Sequence, residues 1–194
     1  MRMKSQRYNP EYQAINFNTI LKALEAHPRL LVVRCDLRFP ELETLSTDSR
    51  VITRFFASLK AKINADLKRK EKAWRRRLSC FLNYVWVREY GDVNGKKHYH
   101  VLLFFNKDVY HSLGDYLAEE GNLSAMIRQA WLSATRLKHP DFYSLVQFGR
   151  KFYLDRNSAD ISSQIQDVVR CAGYLAKNHT KRYGDGERSI GSSL

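Results

Sequence analysis

Ser79–Phe105 reads SCFLNYVWVREYGDVNGKKHYHVLLFF, two runs rich in β-branched and aromatic residues joined by seven residues that include Gly, Asp and Asn. Such runs favour strands, and such a connection suits a tight turn, so the stretch predicts an antiparallel hairpin. Residues two apart on a strand point the same way. His98 and His100 therefore present two imidazoles to one side of the second strand, while Val101, Leu103 and Phe105 are placed to anchor it in the core. Closing the turn brings Glu89, near the end of the first strand, towards the same place.

Upstream, RLLVVRCDLRFPEL (Arg29–Leu42) reads as a strand closed by Pro40, with Leu31, Val33, Cys35 and Leu37 on one face and Arg34, Asp36 and Arg38 on the other. A short helical lead-in, Ile15–Ala26, precedes it. After the capping-rich STDS (Ser46–Ser49), the spacing of Ile52, Phe55, Phe56, Leu59, Ile63 and Leu67 predicts a long amphipathic helix ending in a basic run. Downstream, 108–137 carries a helical pattern broken at Gly121-Asn122. SLVQFGRKFYL (Ser144–Leu154) returns to strand, Ser158–Gly184 is helical, and the tail DGERSIGSSL (Asp185–Leu194) reads as loop. The order predicts an α+β fold, a mainly antiparallel sheet with helices packed on one face. Residues 1–29 form the lead-in, 30–183 the main domain and 184–194 a tail.

The 194 residues, 44% of them apolar, suffice for one domain with a core. Thirty-three Lys and Arg against 20 Asp and Glu give a net charge of +13, which points to a polyanionic partner and first of all to nucleic acid. Cys35, Cys80 and Cys171 lie far apart, without metal-ligand spacing, and read as reduced thiols. No stretch has the length and apolarity of a signal peptide or a membrane span, so a cytoplasmic location without membrane contact is expected.

Two neutral imidazoles and a carboxylate form a donor set that holds a divalent ion and leaves coordination positions open. A lone His-x-His is also a common polar strand edge, but Glu89, His98 and His100 across one short hairpin say more than the pair alone. A second chemistry lies in GYLAKNHTK (Gly173–Lys181), where Tyr174 and Lys177 are three apart on a helix, so a phenol and an ammonium can meet one phosphate. Tyrosine can form a covalent intermediate, but an ordinary pKa near ~10 means it needs activation. As an alternative, Tyr174 simply packs against the sheet. KRKEKAWRRR (Lys68–Arg77) offers Lys68, Arg69, Lys70, Trp74, Arg75, Arg76 and Arg77 as a phosphate track with an aromatic surface for base stacking, and Arg34 and Arg38 extend it; a solvated helix end is the plainer reading.

Glu89, His98-Tyr99-His100 and Tyr174–Lys177 together resemble the HUH endonuclease superfamily: a histidine pair flanking a bulky residue, followed by a Tyr-x-x-Lys helix. The hairpin REYGDVNGKKHYHVLLF (Arg88–Phe104) resembles that of rolling-circle replication initiators. From about Leu30 to Gly191 the chain resembles the YagK/YfjJ-type prophage domain, related to replication proteins of filamentous phages (inoviruses). The resemblance implies an HUH/Rep-like (ferredoxin/RRM-like) catalytic domain that nicks and rejoins single-stranded DNA. His98, His100 and Glu89 match the ligands of Mg²⁺ or Mn²⁺, Tyr174 the nucleophile that joins the 5′ phosphate, and Lys177 the motif lysine. The position of a second tyrosine, four residues before the first, is Arg170, which implies a single-tyrosine enzyme. Single-stranded DNA or an origin hairpin is the implied substrate, with host replication helicase and polymerase as further partners. Relaxases and single-strand transposases share this chemistry. A non-catalytic nucleic-acid-binding regulator on the same fold is the reading from another class, and an iron oxygenase would leave both the tyrosine helix and the basic charge unexplained.

Overall fold

The computed structural model describes residues 8–40, 48–91, 95–138, 140–175 and 184–193, with backbone alone for 174 and 175. Strands β2 (Asn83–Tyr90) and β3 (Lys97–Asn106) form the expected antiparallel hairpin. Gly95, at φ 62°, takes the left-handed conformation just before β3. The other side of β3 pairs antiparallel with β1 (Arg29–Arg38), which makes β3 the central strand. β4 (Val146–Asp155) lies outside β1 and β5 (Ile190–Ser192) outside β2, so the sheet order is β4-β1-β3-β2-β5 with antiparallel neighbours throughout. This is the expected α+β fold with an antiparallel sheet. The tail, expected as loop, supplies β5 instead, its backbone pairing with β2 from Val85 to Val87.

Helix α1 (Pro10–Ala26) begins earlier than the expected Ile15. The Asn9 side chain accepts hydrogen bonds from the Glu11 and Tyr12 amides, and Pro10 occupies the first turn, where its missing N–H costs nothing. Helix α2 (Val51–Trp74) buries Ile52, Phe55, Phe56, Leu59, Ile63 and Leu67, as its spacing requires. Its N-cap is Arg50, without a side-chain cap bond, and Asp48 instead accepts from the Arg50 amide and pairs with Arg54 at 2.5 Å. The helical pattern of 108–137 yields only α3 (Leu123–Thr135), capped by Asn122. The segment before it stays irregular because Gly114 adopts φ 82° and approaches Asn122 so closely that a Cβ would lie 2.6 Å from the Asn122 Cβ. A 3₁₀ turn, Pro140–Leu145, leads into β4, and α4 (Ile161–Leu175) follows it.

Helices cover both faces of the sheet, not the one face expected. Leu31, Val33, Cys35, Leu37, Val101, Leu103 and Phe105 pack with α2 and α3, whereas Leu30, Val32, Val87, Leu102 and Phe104 pack with α1 and α4. The reason lies in the strands: β1 and β3 are apolar on both sides, and a strand apolar on both sides must be covered on both. The lead-in helix is therefore core, with Ile20 and Ala23 fully buried. Among the described residues no helix is long and apolar enough to cross a membrane.

The face of the hairpin that carries Trp86 and Tyr99 also buries two cations. Arg88 donates to Glu187 at 2.7 Å and to Asp185 at 2.8 Å, and Lys97 reaches the same Glu187 oxygen at 2.7 Å. Arg88 and Lys97 are almost wholly buried, so the tail that carries their counter-ions is part of the fold. Glu187→Ala leaves both cations short of a partner and should lower unfolding stability by about 3 kcal/mol, the lower end of the range for a broken buried pair because Glu187 is itself partly solvated. Urea denaturation measures this, and a loss below about 0.5 kcal/mol, the scale of an ordinary surface substitution, would show that the tail carries no such weight.

Candidate metal centre

The sheet's registry assembles the candidate site. In the β2–β3 pairing Glu89 stands opposite His98, and in the β1–β3 pairing Asp36 stands opposite His100 and Arg38 opposite His98. Cross-strand partners share a face, so all these side chains emerge on the side of the sheet that α1 and α4 cover. Tyr99, between the histidines, turns the other way and packs fully buried among Phe39, Trp86 and Trp131. The bulky middle residue thus fixes the strand while its neighbours face the site.

Glu89, His98 and His100 each offer a ligand atom within 4.8 Å of the others. The two Nε2 atoms lie 3.2 Å apart, and Glu89 Oε2 is 3.3 Å from His100 Nε2. Each Nδ1 faces outward to an oxygen: that of His98 to the Lys96 carbonyl at 3.2 Å, that of His100 to Asp36 Oδ1 at 2.6 Å. Nδ1–H donating to these oxygens leaves both Nε2 lone pairs directed at each other and at a carboxylate. Such a convergence of lone pairs is repulsive until a cation, either a proton or a metal ion, sits among them. The donor set, two imidazoles and a carboxylate, fits a divalent ion.

Burial disfavours the imidazolium form of both rings, with opposite outcomes. Desolvation, reinforced by the neighbouring His100, holds His98 below the ordinary histidine value. At His100 desolvation is outweighed by the hydrogen bonds the ring donates to Asp36 and Glu89, which raise it. Asp36 is held low because its bond to His100 outweighs its own burial. The sequence pattern puts Asp36 on this face of β1, and the structure adds it to the site. Its role is to orient the His100 ring and raise the basicity of the ring's other nitrogen, as a carboxylate behind a metal-binding histidine does. Only the alternation around Arg34 and Arg38 signalled it; its pairing with His100 lay in the register.

Arg34 and Arg38 flank Asp36 on the same face, so the structure brings these two predicted residues to the site. Arg34 Nε lies 3.6 Å from Asp36 and its guanidinium hydrogen-bonds the Cys171 thiol of α4. α4 starts beside the far end of β1, where Gln164 accepts from the Asp155 amide, and has reached Arg34 by Cys171. It therefore advances along the sheet towards the cluster. The backbone of Tyr174 lies three residues beyond Cys171, about 4.5 Å further along the axis. Its side chain, and Lys177 and Tyr183 entirely, lie outside the described residues.

Lys68–Arg77 does not join this assembly. Lys68–Trp74 form the last turns of α2, Arg75 is its left-handed cap and Arg76 and Arg77 follow, all on the opposite face, with Lys70 donating to the Val109 carbonyl just beyond the end of β3. His98 and Asn106 are eight residues apart on β3, roughly 27 Å. The basic run and the candidate metal centre thus occupy opposite ends of the sheet.

The model of the YagK/YfjJ C-terminal domain matches residues 2–193. The chain is 38% identical to the uncharacterized protein YagK of Escherichia coli (strain K12), with 94% of this chain and 92% of the relative covered. It is 35% identical to the uncharacterized protein YfjJ of the same strain, with 88% of each covered. No solved structure matches.

Asp36→Asn should fold but bind Mn²⁺ about tenfold more weakly by isothermal titration calorimetry, the scale for losing the partner behind a ligand. His100→Ala should lose binding altogether. Parental affinity in Asp36→Asn would mean that His100 needs no orienting partner.

Proposed function

The chain belongs to the YagK/YfjJ C-terminal domain family, and on that premise we propose that it nicks and rejoins single-stranded DNA through a 5′-phosphotyrosine on Tyr174. The observation that carries this reading is the approach of α4 towards Glu89, His98 and His100 along one face of the sheet. A donor set for a divalent ion and a helix bearing a tyrosine thereby converge from separate parts of the chain.

In this reading Glu89, His98 and His100 hold Mg²⁺ or Mn²⁺, with Asp36 fixing the His100 ring. The bound ion supplies Lewis-acid polarisation of the scissile phosphate. Arg34 and Arg38, on either side of Asp36, hold the strand's phosphates beside the site by charge. The Tyr174 oxygen forms a bond to phosphorus as the bond to the 3′ oxygen breaks. The phenol gives up its proton and the leaving 3′ oxygen gains one. Lys177 stabilises the developing negative charge. The new ester keeps the phosphodiester energy, so the reverse attack by a 3′ hydroxyl reseals the strand without ATP.

The free 3′ end primes synthesis, which suits initiation of rolling-circle replication of a phage, prophage or plasmid-like element in the cytoplasm, with host helicase and polymerase acting next. The resemblance of the hairpin to those of replication initiators supports this use over others of the same chemistry, and the net charge of +13 suits a nucleic-acid substrate in any of them.

The test is incubation of the purified protein with labelled single-stranded DNA from its own locus and Mn²⁺, followed by denaturing gels and peptide mapping. The parent should yield a protein-linked product mapping to Tyr174. Tyr174→Phe should bind metal and DNA yet form no adduct, and His98→Ala should abolish cleavage. Cleavage by Tyr174→Phe at the parental rate would point to metal-activated water as the nucleophile. DNA binding by the parent with no cleavage under any metal would point to the regulator.

A further inference from the structure

We infer that the end of the sheet opposite the candidate metal centre is a separate binding surface for single-stranded DNA, built from exposed rings set among cations. Three of the large exposed aromatic side chains belong to elements that end there: Trp74, Phe81 and Tyr153, with relative exposures of 44%, 68% and 45%. They belong to different elements, the end of α2, the approach to β2 and the end of β4. Contacts at the end of β3 and just past it draw those elements together. Asn106 binds Ser79 and Cys80, Lys107 donates to the Arg29 carbonyl, and Lys70 donates to the Val109 carbonyl.

Each ring is held in a defined setting. The Arg76 guanidinium lies 5.3 Å and the Lys70 ammonium 5.7 Å from the Trp74 ring centre, and Lys107 Nζ lies 4.8 Å from that of Tyr153. Phe81 stacks on buried His27 at 5.8 Å and 17°, and its amide donates to His27 Nε2, so the ring is backed on one side and exposed on the other. Exposed Lys68, Arg69, Lys72, Arg75, Arg76 and Arg77 crowd the same end. Nearby acids are already engaged: Asp66 with Arg69 and Lys70, and Asp108 with Arg29.

This combination selects its ligand. Exposed Lys and Arg side chains hold phosphates whatever the sequence, and an open aromatic face stacks only on a base that has left its own stack. A duplex offers the phosphates but not the bases. An apolar protein partner would want contiguous apolar surface, whereas these rings are interleaved with charge. At roughly 27 Å from the metal centre along β3, the surface holds a strand whose other part lies elsewhere on the protein. It shares with the proposed function only the class of ligand, and needs neither metal nor cleavage.

The test is titration of the intact protein with oligo-dT in EDTA, followed by intrinsic fluorescence. Trp86 and Trp131 are buried, so quenching on binding reports Trp74. Quenching is expected, and Trp74→Ala should weaken binding about tenfold. Trp74→Phe should bind well without quenching. Replacing Arg75, Arg76 and Arg77 by Gln should reduce the magnitude of the log–log salt slope by about 2. Binding of oligo-dT without quenching overturns the inference, as does parental affinity in Trp74→Ala or an unchanged slope in the arginine variant. Duplex DNA that competes as well as oligo-dT also overturns it, since that would leave phosphate contact alone. Neither result bears on nicking, which is read separately at Tyr174.

Discussion

The register of β3 between β1 and β2 is the constraint on which the rest depends. Its alternation sends Tyr99, Val101, Leu103 and Phe105 to one core and His98, His100, Leu102 and Phe104 to the other side. A slip of one residue would exchange the two sets, burying imidazoles among Phe39 and Trp131 and turning Tyr99 towards Glu89. Both faces are covered by helices, so either misplacement would be costly and the register is held from both sides.

The same hairpin carries two polar clusters back to back. Glu89, His98 and His100 occupy one face, and Arg88 and Lys97, each adjacent in sequence to one of them, occupy the other. The clusters differ in electrostatic design. On the tail's side two buried cations meet Asp185 and Glu187, a closed arrangement that fixes β5 and the hairpin. On the α4 side two imidazoles and the Glu89 carboxylate converge with their lone pairs inward while Asp36 backs His100 from outside, an arrangement whose donors fit a cation. The first is suited to holding structure, the second to binding.

The distribution of charge follows the same economy of placement. Among the described residues, Arg34 and Arg38 are the cations singled out in the sequence that stand beside the candidate metal centre, whereas the dense run at the end of α2 lies at the far end of the sheet among exposed rings. Apart from the buried Arg88 and Lys97, these cations stand in two settings, one beside the candidate metal centre and the other beside exposed rings.

The sequence by itself determined the elements that rest on local periodicity. These are the hairpin, the apolar face of β1 formed by Leu31, Val33, Cys35 and Leu37, the apolar stripe of α2, and the placement of His98 and His100 on one face, because side-chain alternation and helical spacing are properties of neighbouring residues. It also identified Glu89, since a short turn leaves few ways to close. It misread 108–121 as helical because the close approach of Gly114 to Asn122 is a contact outside helical spacing. Only the tertiary structure decided that helices cover both faces, that the tail enters the sheet, that Asp36 stands behind His100, and that Lys68–Arg77 sits far from the histidines. Each depends on which strands become neighbours and in what register, and that is settled by burying two cores at once, an energy summed over residues far apart in the chain.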